Sequence, residues 1–273
     1  IDQVSSLPLM KGIRGAVSDL PVVAANNTAG RALEAMLDDA KPAFGVSIEI
    51  EKGIPLGSGL GGSASSAVAA VVAANALLGG RYDKAQLLKF AMQGEQVASG
   101  SLHVDNVAPS LFGGLVLTVG VDDPRVKKIP GPRGVRAVAV HPHMSLATKE
   151  ARAILRPTVS MSDFVWQTAN LAGFIAGCYD NDLDLIRASL EDVIIEPQRQ
   201  SLIPGAPAVR AAAMKEGALG CSISGAGPTM FALARVEDAE RVRAAMQAGF
   251  TGTNIKSDGW IVEIDSPGAR LVD

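Results

Sequence analysis

Apolar and polar positions recur along the first half of the chain with two different periods, and these periods predict its secondary structure. Apolar residues recur every three or four positions in residues 26–37 and 84–97, which is the spacing of amphipathic helices. Residues 46–51 alternate strictly between apolar and polar, and residues 115–119 form a short apolar run, so both are predicted strands. Residues 63–78 are small and mostly apolar, which indicates a buried helix that ends at a pair of glycines.

The order of the predicted elements changes in the second half. Residues 122–134 hold three prolines and two glycines, so we predict a linker there. Beyond it come a strand at 135–140, helices at 161–179 and 182–190, strands at 219–224 and 230–234, a helix at 237–248 and a strand at 260–264. This order is typical of a split βαβ, ferredoxin-like unit. We therefore expect an α+β chain with two domains, residues 1–132 and 133–273.

Composition narrows the class of protein. The chain has 273 residues, of which 48% are hydrophobic and 19% charged, as in a well-packed globular protein. Its net charge is −3 and its densest basic pair is Lys127-Lys128, which argues against a nucleic-acid partner. The most apolar stretch, residues 64–78, is shorter than the ~20 residues that cross a bilayer, so we expect no membrane partner. Cys178 and Cys221 suit a reduced compartment, and we predict a cytoplasmic protein.

A glycine-rich segment joins the strand at 46–51 to the small-residue helix. It reads Pro55-Leu56-Gly57-Ser58-Gly59-Leu60-Gly61-Gly62-Ser63-Ala64-Ser65-Ser66. Glycines let backbone amides approach an anion closely, and the start of the next helix adds unpaired amides and a positive dipole end. The serine hydroxyls can cap the helix, bind a phosphate or coordinate Mg²⁺. The segment therefore predicts a phosphate-binding loop, and the alternative is a structural turn ahead of a core helix.

Two better-known glycine motifs fit this segment poorly. It lacks the Gly-Lys-[Ser/Thr] that closes a Walker A loop. Gly57, Gly59 and Gly62 have the spacing G-x-G-x-x-G, but a dinucleotide-binding fold requires an acidic residue about 20 positions later at the end of a second parallel strand. The stretch that follows here is small and apolar through Gly80 and offers no such strand end.

The segment is very similar to the signature of the GHMP kinase family, Pro-x-Gly-x-Gly-Leu-Gly-Ser-Ser, whose loop wraps the phosphates of ATP. The sequence departs from the signature at Gly62, where the first of the two serines usually lies. The resemblance implies that residues 55–65 bind ATP and that the Ser63 hydroxyl faces Mg²⁺ and the transferred phosphate. It also implies a ribosomal-protein-S5-like N-terminal half and a ferredoxin-like C-terminal half.

Residues 94–109 resemble a segment, Gly-Glu-x-x-Ala-x-Gly-x-x-His-x-Asp-Asn-x-Ala-Pro, of the branch of this family that phosphorylates homoserine. The resemblance implies that Glu95 holds Mg²⁺ together with Ser63. It implies that His103, Asp105 and Asn106 lie on the substrate side of the site. Asp105 is also the nearby candidate for a catalytic base.

Three segments of the second half continue the resemblance. Residues 147–152 resemble Ser-Thr-Lys-Glu-Ala-Arg of the same branch, and residues 195–199 resemble a segment that supplies a second arginine. The implied substrate ligands are Thr148, Arg152 and Arg199. Two guanidinium groups suit a substrate that carries a carboxylate, since the planar fork pairs with it bidentately. Residues 222–229 match the third family motif, a glycine-rich turn that packs against the phosphate loop.

The resemblance implies transfer of the γ-phosphoryl group of ATP to the side-chain hydroxyl of L-homoserine, a step of threonine biosynthesis. A mevalonate-type or diphosphocytidyl-methylerythritol-type kinase of the same family is the alternative enzyme, and a non-catalytic metabolite sensor with the same fold is the alternative from another class. Nothing in residues 1–52 matches the segment Ala-x-x-Ala-Asn-x-Gly-x-Gly-Phe-Asp that opens such kinases, so we expect the first strand to be missing. A homodimer is compatible with the sequence.

Overall fold

A computed structural model describes residues 2–4, 13–15, 20–99, 104–120 and 122–272. The chain forms two compact units. The first comprises Ile1–Pro55, Gly61–Lys128 and Ser266–Asp273, and the second comprises Leu56–Leu60 and Ile129–Asp265. In the described residues, no helix is both long and apolar enough to cross a membrane.

The first unit packs helices together with a small sheet. Its elements are β1 (Asp2–Val4), β2 (Ile13–Gly15), α1 (Thr28–Ala40), β3 (Gly45–Ile50), α2 (Gly62–Leu77), α3 (Lys84–Ser99), α4 (Val107–Phe112), β4 (Leu115–Val119) and β5 (Arg125–Ile129). β3 lies between β1, which is antiparallel to it, and β2, which is parallel. β4 pairs with β5.

Small side chains bring the helices of this unit close together. α2 packs on α1, α3 and α4, and six of its alanines and valines are buried in the shared core. Gly94 of α3 touches α1, because a Cβ atom there would lie 2.8 Å from the Cβ of Ala32. Asn27 begins α1 by accepting hydrogen bonds from the amides of Ala29 and Gly30 at 3.0 and 3.3 Å. These contacts set the start of α1 and hold it close to α3.

The second unit is built on a four-stranded antiparallel sheet. Its elements are β6 (Val135–Pro142), α5 (Thr148–Ala153), α6 (Met161–Asp180), α7 (Leu183–Ser189), α8 (Glu196–Arg199), α9 (Ala206–Lys215), β7 (Gly220–Ile223), β8 (Met230–Arg235), α10 (Ala239–Thr251) and β9 (Ser257–Glu263). The strand order is β7-β8-β6-β9, and α9 and α10 pack together against the sheet. This is the ferredoxin-like arrangement that the order of elements predicts.

Each predicted helix and strand is present within a few residues of its predicted limits, and the structure also contains elements that we did not predict. The predicted linker at 122–134 is wrong in part, because Arg125–Ile129 forms β5. Its charged side chains hide the strand pattern, and its pairing with β4 supplies the hydrogen bonds. The helices α4 and α9, which both contain proline, are additional elements. Two short strands, β1 and β2, precede β3.

Candidate active site

Alternate glycines of the loop adopt a backbone conformation that other residues avoid. The φ angles of Gly57, Gly59 and Gly61 are +61°, +79° and +71°. A side chain at such angles costs roughly 1–2 kcal/mol, because its Cβ crowds the backbone. The three glycines therefore allow the chain to turn tightly between β3 and α2, where the glycine-rich sequence predicts a loop.

The first part of the loop packs tightly on the turn between β7 and β8. The amide of Thr229 donates to the carbonyl of Ser58 at 3.1 Å, and the hydroxyl of Ser224 donates to the carbonyl of Gly59 at 3.0 Å. A Cβ atom on Gly59 would collide with the Ser224 carbonyl and lie 2.7 Å from the carbonyl oxygen of Gly227. The glycine-rich turn at 222–229 thus contacts the loop, as the family resemblance implies.

The second part of the loop begins α2. Gly61 is the N-cap and has no side chain to bond the amides of the first turn, which are therefore available to an anion. A Cβ atom on Gly61 would lie 3.2 Å from Oδ1 of Asn106. Asn106, which we predicted as a substrate ligand, therefore lies beside the loop.

Ser63 and Glu95, for which the resemblance implies a shared Mg²⁺ ion, are in direct contact. The Ser63 hydroxyl, in the first turn of α2, donates to Oε1 of Glu95 on α3 at 2.9 Å. Glu95 is only 6% exposed. Burial raises the pKa of Glu95 above its usual value, and the negative charge of Asp105 adds to the rise, while the Ser63 hydrogen bond and Lys52 oppose it. A buried carboxylate near a second carboxylate favours a bound cation.

Lys52 belongs to this cluster, although the sequence analysis did not identify it. Its ammonium group donates to the carbonyl of Gly62 and, at 2.8 Å, to the hydroxyl of Ser66. Burial lowers the pKa of Lys52, and Glu95 opposes the change. A Cβ atom on Gly62 would lie 3.5 Å from this ammonium nitrogen, so the departure from the family signature lies next to Lys52. In the sequence a lone lysine after Glu51 resembles a solvated charge, and its position shortly before the glycine loop is the one signal that could have revealed it.

In the second unit, two predicted substrate ligands lie near one another. Arg199, at the end of α8, donates from Nε to the carbonyl of Ala151 at 2.9 Å and from Nη1 to the carbonyl of Gly225 at 3.0 Å. Burial lowers the pKa of Arg199, and the positive charge of Arg152 lowers it further. Arg152 and Thr148 are exposed on α5, one helical turn apart. Two neighbouring guanidinium groups make a strong site for an anion.

Glu196 anchors the short helix that carries Arg199, and it too was not predicted. It is buried, and it accepts hydrogen bonds from the Ser222 hydroxyl and, at 3.3 Å, from Nη1 of Arg210. Its amide donates to the carboxylate of Asp192 at 3.2 Å. These bonds fix α8 to β7 and α9, which orients Arg199.

The predicted site residues form one group in each unit. Ser63, Glu95, Asp105 and Asn106 belong to the first, and Thr148, Arg152 and Arg199 to the second. His103, a predicted substrate ligand, lies outside the described residues.

Comparison with known proteins decides the family. Residues 27–114 match the model of the GHMP kinases N terminal domain, and residues 174–252 match that of the GHMP kinases C terminal domain. Homoserine kinase of Xylella fastidiosa (strain M12) is 46% identical over 261 residues, which cover 95% of this chain and 80% of the relative. The chain belongs to the homoserine kinases of the GHMP kinase family. The predicted family, fold class and enzyme class are confirmed.

Other homoserine kinases agree. That of Chloroherpeton thalassium is 40% identical, covering 93% of this chain and 82% of the relative. The crystal structure of homoserine kinase from Cytophaga hutchinsonii superposes with a TM-score of 0.91 at 44% identity, over 95% of this chain and 82% of that one. L. major mevalonate kinase has a TM-score of 0.71 at 17% identity, over 98% of this chain and 86% of that one, and so shares the fold.

Proposed function

We propose that this kinase transfers the γ-phosphoryl group of ATP to the side-chain hydroxyl of L-homoserine, giving O-phospho-L-homoserine for threonine biosynthesis. The observation that carries the proposal is the Ser63–Glu95 hydrogen bond directly after a loop with three left-handed glycines. A metabolite sensor has no need of this pair, because it does not position a metal for phosphoryl transfer.

In this proposal, residues 1–132 bind the nucleotide and residues 133–273 form the second domain. The loop amides of residues 55–65 and the start of α2 hold the phosphates of ATP, since both present N–H groups and positive charge. Lys52, whose side-chain nitrogen donates to the Gly62 carbonyl, adds positive charge beside the loop. Phosphoryl transfer requires mainly such positioning and charge neutralisation.

The residues present fit a Mg²⁺ ion. The Ser63 hydroxyl and the Glu95 carboxylate are hard oxygen ligands, and the raised pKa of Glu95 reflects a buried carboxylate whose charge a cation would stabilise. When bound, Mg²⁺ neutralises charge on the β- and γ-phosphates. Ser63 and Glu95 would hold the ion, because the hydrogen bond between them keeps the Ser63 hydroxyl oxygen close to the Glu95 carboxylate oxygen.

Homoserine carries a carboxylate, which Arg152 and Arg199 bind in this proposal, with Thr148 beside them. Since Nε and one Nη1 hydrogen of Arg199 bond the backbone, its fork is held in one orientation before substrate arrives. His103, Asp105 and Asn106 complete the substrate ligands. The homoserine oxygen bonds to the γ-phosphorus, the bond to the bridging oxygen of ADP breaks, and the hydroxyl proton leaves to a base, for which Asp105 is the candidate.

A coupled ADP-release assay tests the reaction with homoserine, mevalonate and shikimate as rival substrates. We expect turnover with homoserine at least ~100-fold faster than with the others. Glu95→Gln keeps the shape of the side chain and should lower kcat by at least ~100-fold through lost metal positioning. Glu237→Gln, at an exposed site between β8 and α10, is the control. Turnover with another alcohol alone would refute the substrate, and an unaffected Glu95→Gln variant would remove Glu95 from the site.

A further inference from the structure

A buried histidine lies at the end of β6, close to the turn that contacts the glycine loop. His141, the penultimate residue of β6, is 5% exposed, and its Nδ1 lies 3.0 Å from Oγ1 of Thr229. Thr229 is fully buried and directly precedes β8. The register that pairs Val140 of β6 with Met230 of β8 brings the side chains of His141 and Thr229 together at the end of the ladder.

The two side chains match each other chemically. Burial lowers the pKa of His141, and the neighbouring His143 lowers it further, while Asp258 opposes the change. A neutral imidazole has one donor and one acceptor nitrogen, and a hydroxyl group can take either part. His141 and Thr229 therefore bond each other without a buried charge, and the bond holds the Thr229 side chain in one orientation.

Thr229 connects this bond to the glycine loop. Its amide donates to the Ser58 carbonyl at 3.1 Å, and its carbonyl accepts from the Ser224 amide at 2.8 Å. The Ser224 hydroxyl donates to the Gly59 carbonyl at 3.0 Å. All of these residues belong to the second unit. The residue that His141 holds by its side chain thus binds one loop carbonyl directly and the next one through Ser224.

The direction of these carbonyls decides where the loop amides point. A peptide unit is planar, and in its trans form the N–H points opposite to the C=O. Because the Ser58 carbonyl is bound to the turn, the N–H of Gly59 points away from the turn. Gly57 and Gly59 both have positive φ, and left-handed residues in a turn are typical of concave groups of amides that bind anions. The Thr229 contacts therefore orient an amide of the loop to which we assign the phosphates of ATP.

We propose that His141 is a positioning residue for ATP, which acts through the Thr229 side chain and holds the turn at residues 224–229 against the glycine loop. The inference rests on the proposed function, in which the loop amides hold the phosphates. Its expected consequence is selective. Loss of the bond should weaken nucleotide binding more than homoserine binding, because Arg199 is also held by the Ala151 carbonyl.

Two substitutions of Thr229 separate its hydroxyl from its bulk. Thr229→Val removes the hydroxyl and keeps the shape, whereas Thr229→Ser keeps the hydroxyl. Titration calorimetry with ATP and excess Mg²⁺, without an acceptor, should show about 10-fold weaker binding for Thr229→Val and binding close to that of the parent for Thr229→Ser, since a buried imidazole loses its partner only in the first. Thr168→Val is the matched control, because the Thr168 hydroxyl bonds carbonyls of its own helix. Equal affinities of Thr229→Val and the parent would overturn the inference.

Substitutions of His141 test the other partner. His141→Leu removes Nδ1 and should weaken ATP binding about as much as Thr229→Val, whereas His141→Asn keeps a polar atom at the Nδ1 position and should bind ATP more tightly than His141→Leu. The double variant of His141→Leu and Thr229→Val should bind no more weakly than either single variant, since both substitutions remove the same bond. Additive losses would overturn the inference, because the two residues would then act separately. Melting curves set the titration temperature below the unfolding transition of every variant.

Steady-state kinetics separate positioning from a general loss of structure. Thr229→Val should raise KM for ATP about 10-fold, while kcat and KM for homoserine change by less than ~3-fold. A structural defect alone lowers the amount of active enzyme, so a lower kcat with an unchanged KM for ATP would overturn the inference. Failure of the substrate assignment would show separately, as a parent enzyme that does not turn over homoserine, and the calorimetry without acceptor would still decide the role of His141.

Discussion

Replacing Gly59 by alanine tests whether the loop depends on close contact with the turn at 222–229. Two costs add at this position. A positive φ of +79° disfavours any side chain by roughly 1–2 kcal/mol, and a Cβ atom 2.7 Å from the Gly227 carbonyl adds an overpacking cost of about 1–3 kcal/mol. Gly134 has a similar φ of +71° in the same unit, but nothing lies within 4 Å of its Cβ position.

Gly134→Ala therefore carries the first cost alone, and the difference between the two variants isolates the contact. We expect Gly59→Ala to be less stable than Gly134→Ala by about 1–3 kcal/mol, or roughly 2–12 °C in melting temperature. Scanning calorimetry of both variants and the parent measures the difference. Titration calorimetry with ATP should also show at least ~10-fold weaker binding for Gly59→Ala, because the loop is displaced from the turn.

Equal melting temperatures for Gly59→Ala and Gly134→Ala would refute the packing argument. They would mean that the loop moves away from the turn at no cost and that its shape is not fixed by residues 222–229. Unchanged ATP affinity with the expected loss of stability would leave the packing intact and exclude the loop from nucleotide binding.

Three further predictions concern the charged residues. Arg152→Ala and Arg199→Ala should each lower kcat/KM for homoserine by an amount equivalent to about 2–5 kcal/mol, with little change in KM for ATP. Lysine at either position should restore only part of the loss, and a shift of ATP saturation in place of homoserine saturation in steady-state kinetics would contradict the prediction. Lys52→Met should lower kcat/KM for ATP by roughly 10–100-fold, because one charged contact with phosphate is lost. The control Lys89→Met, at an exposed site, should leave kcat/KM unchanged, and equal kcat/KM values for the two variants would assign Lys52 a structural role only. Burial raises the pKa of Glu196, so its stabilising contribution is full below the unfolded pKa near 4.5 and is lost as the pH rises through the folded-state pKa. Glutamine does not titrate, so the free energy of unfolding of Glu196→Gln, minus that of the parent, should increase with pH in urea unfolding from pH 4.5 to 7.5. A difference that stays constant with pH would count against this prediction.

The sequence by itself determined the elements and the chemistry that depend on local order. Helical spacing and strict alternation predicted α1 and β3, because each period places one face toward a core. The glycine–serine segment predicted the loop, because glycine tolerates the positive φ angles that a tight loop requires, and its alternate glycines adopt them. Elements rich in charge or containing proline, such as β5 and α9, were not predicted, because contacts with distant residues stabilise them against their weak local preference.

Tertiary structure decided which distant residues meet. Ser224 and Gly59 are 165 residues apart, and no periodicity links them, yet their hydrogen bond fixes the loop. Lys52 and Glu196 look like ordinary surface charges in the sequence, and folding makes them significant by removing them from water, which shifts their pKa values and demands partners. The apolar side of α6 likewise looks like a core face, and only the structure leaves it exposed. Burial is a property of the whole fold, so the sequence shows which side chains can do chemistry and the fold determines which of them are placed to do it.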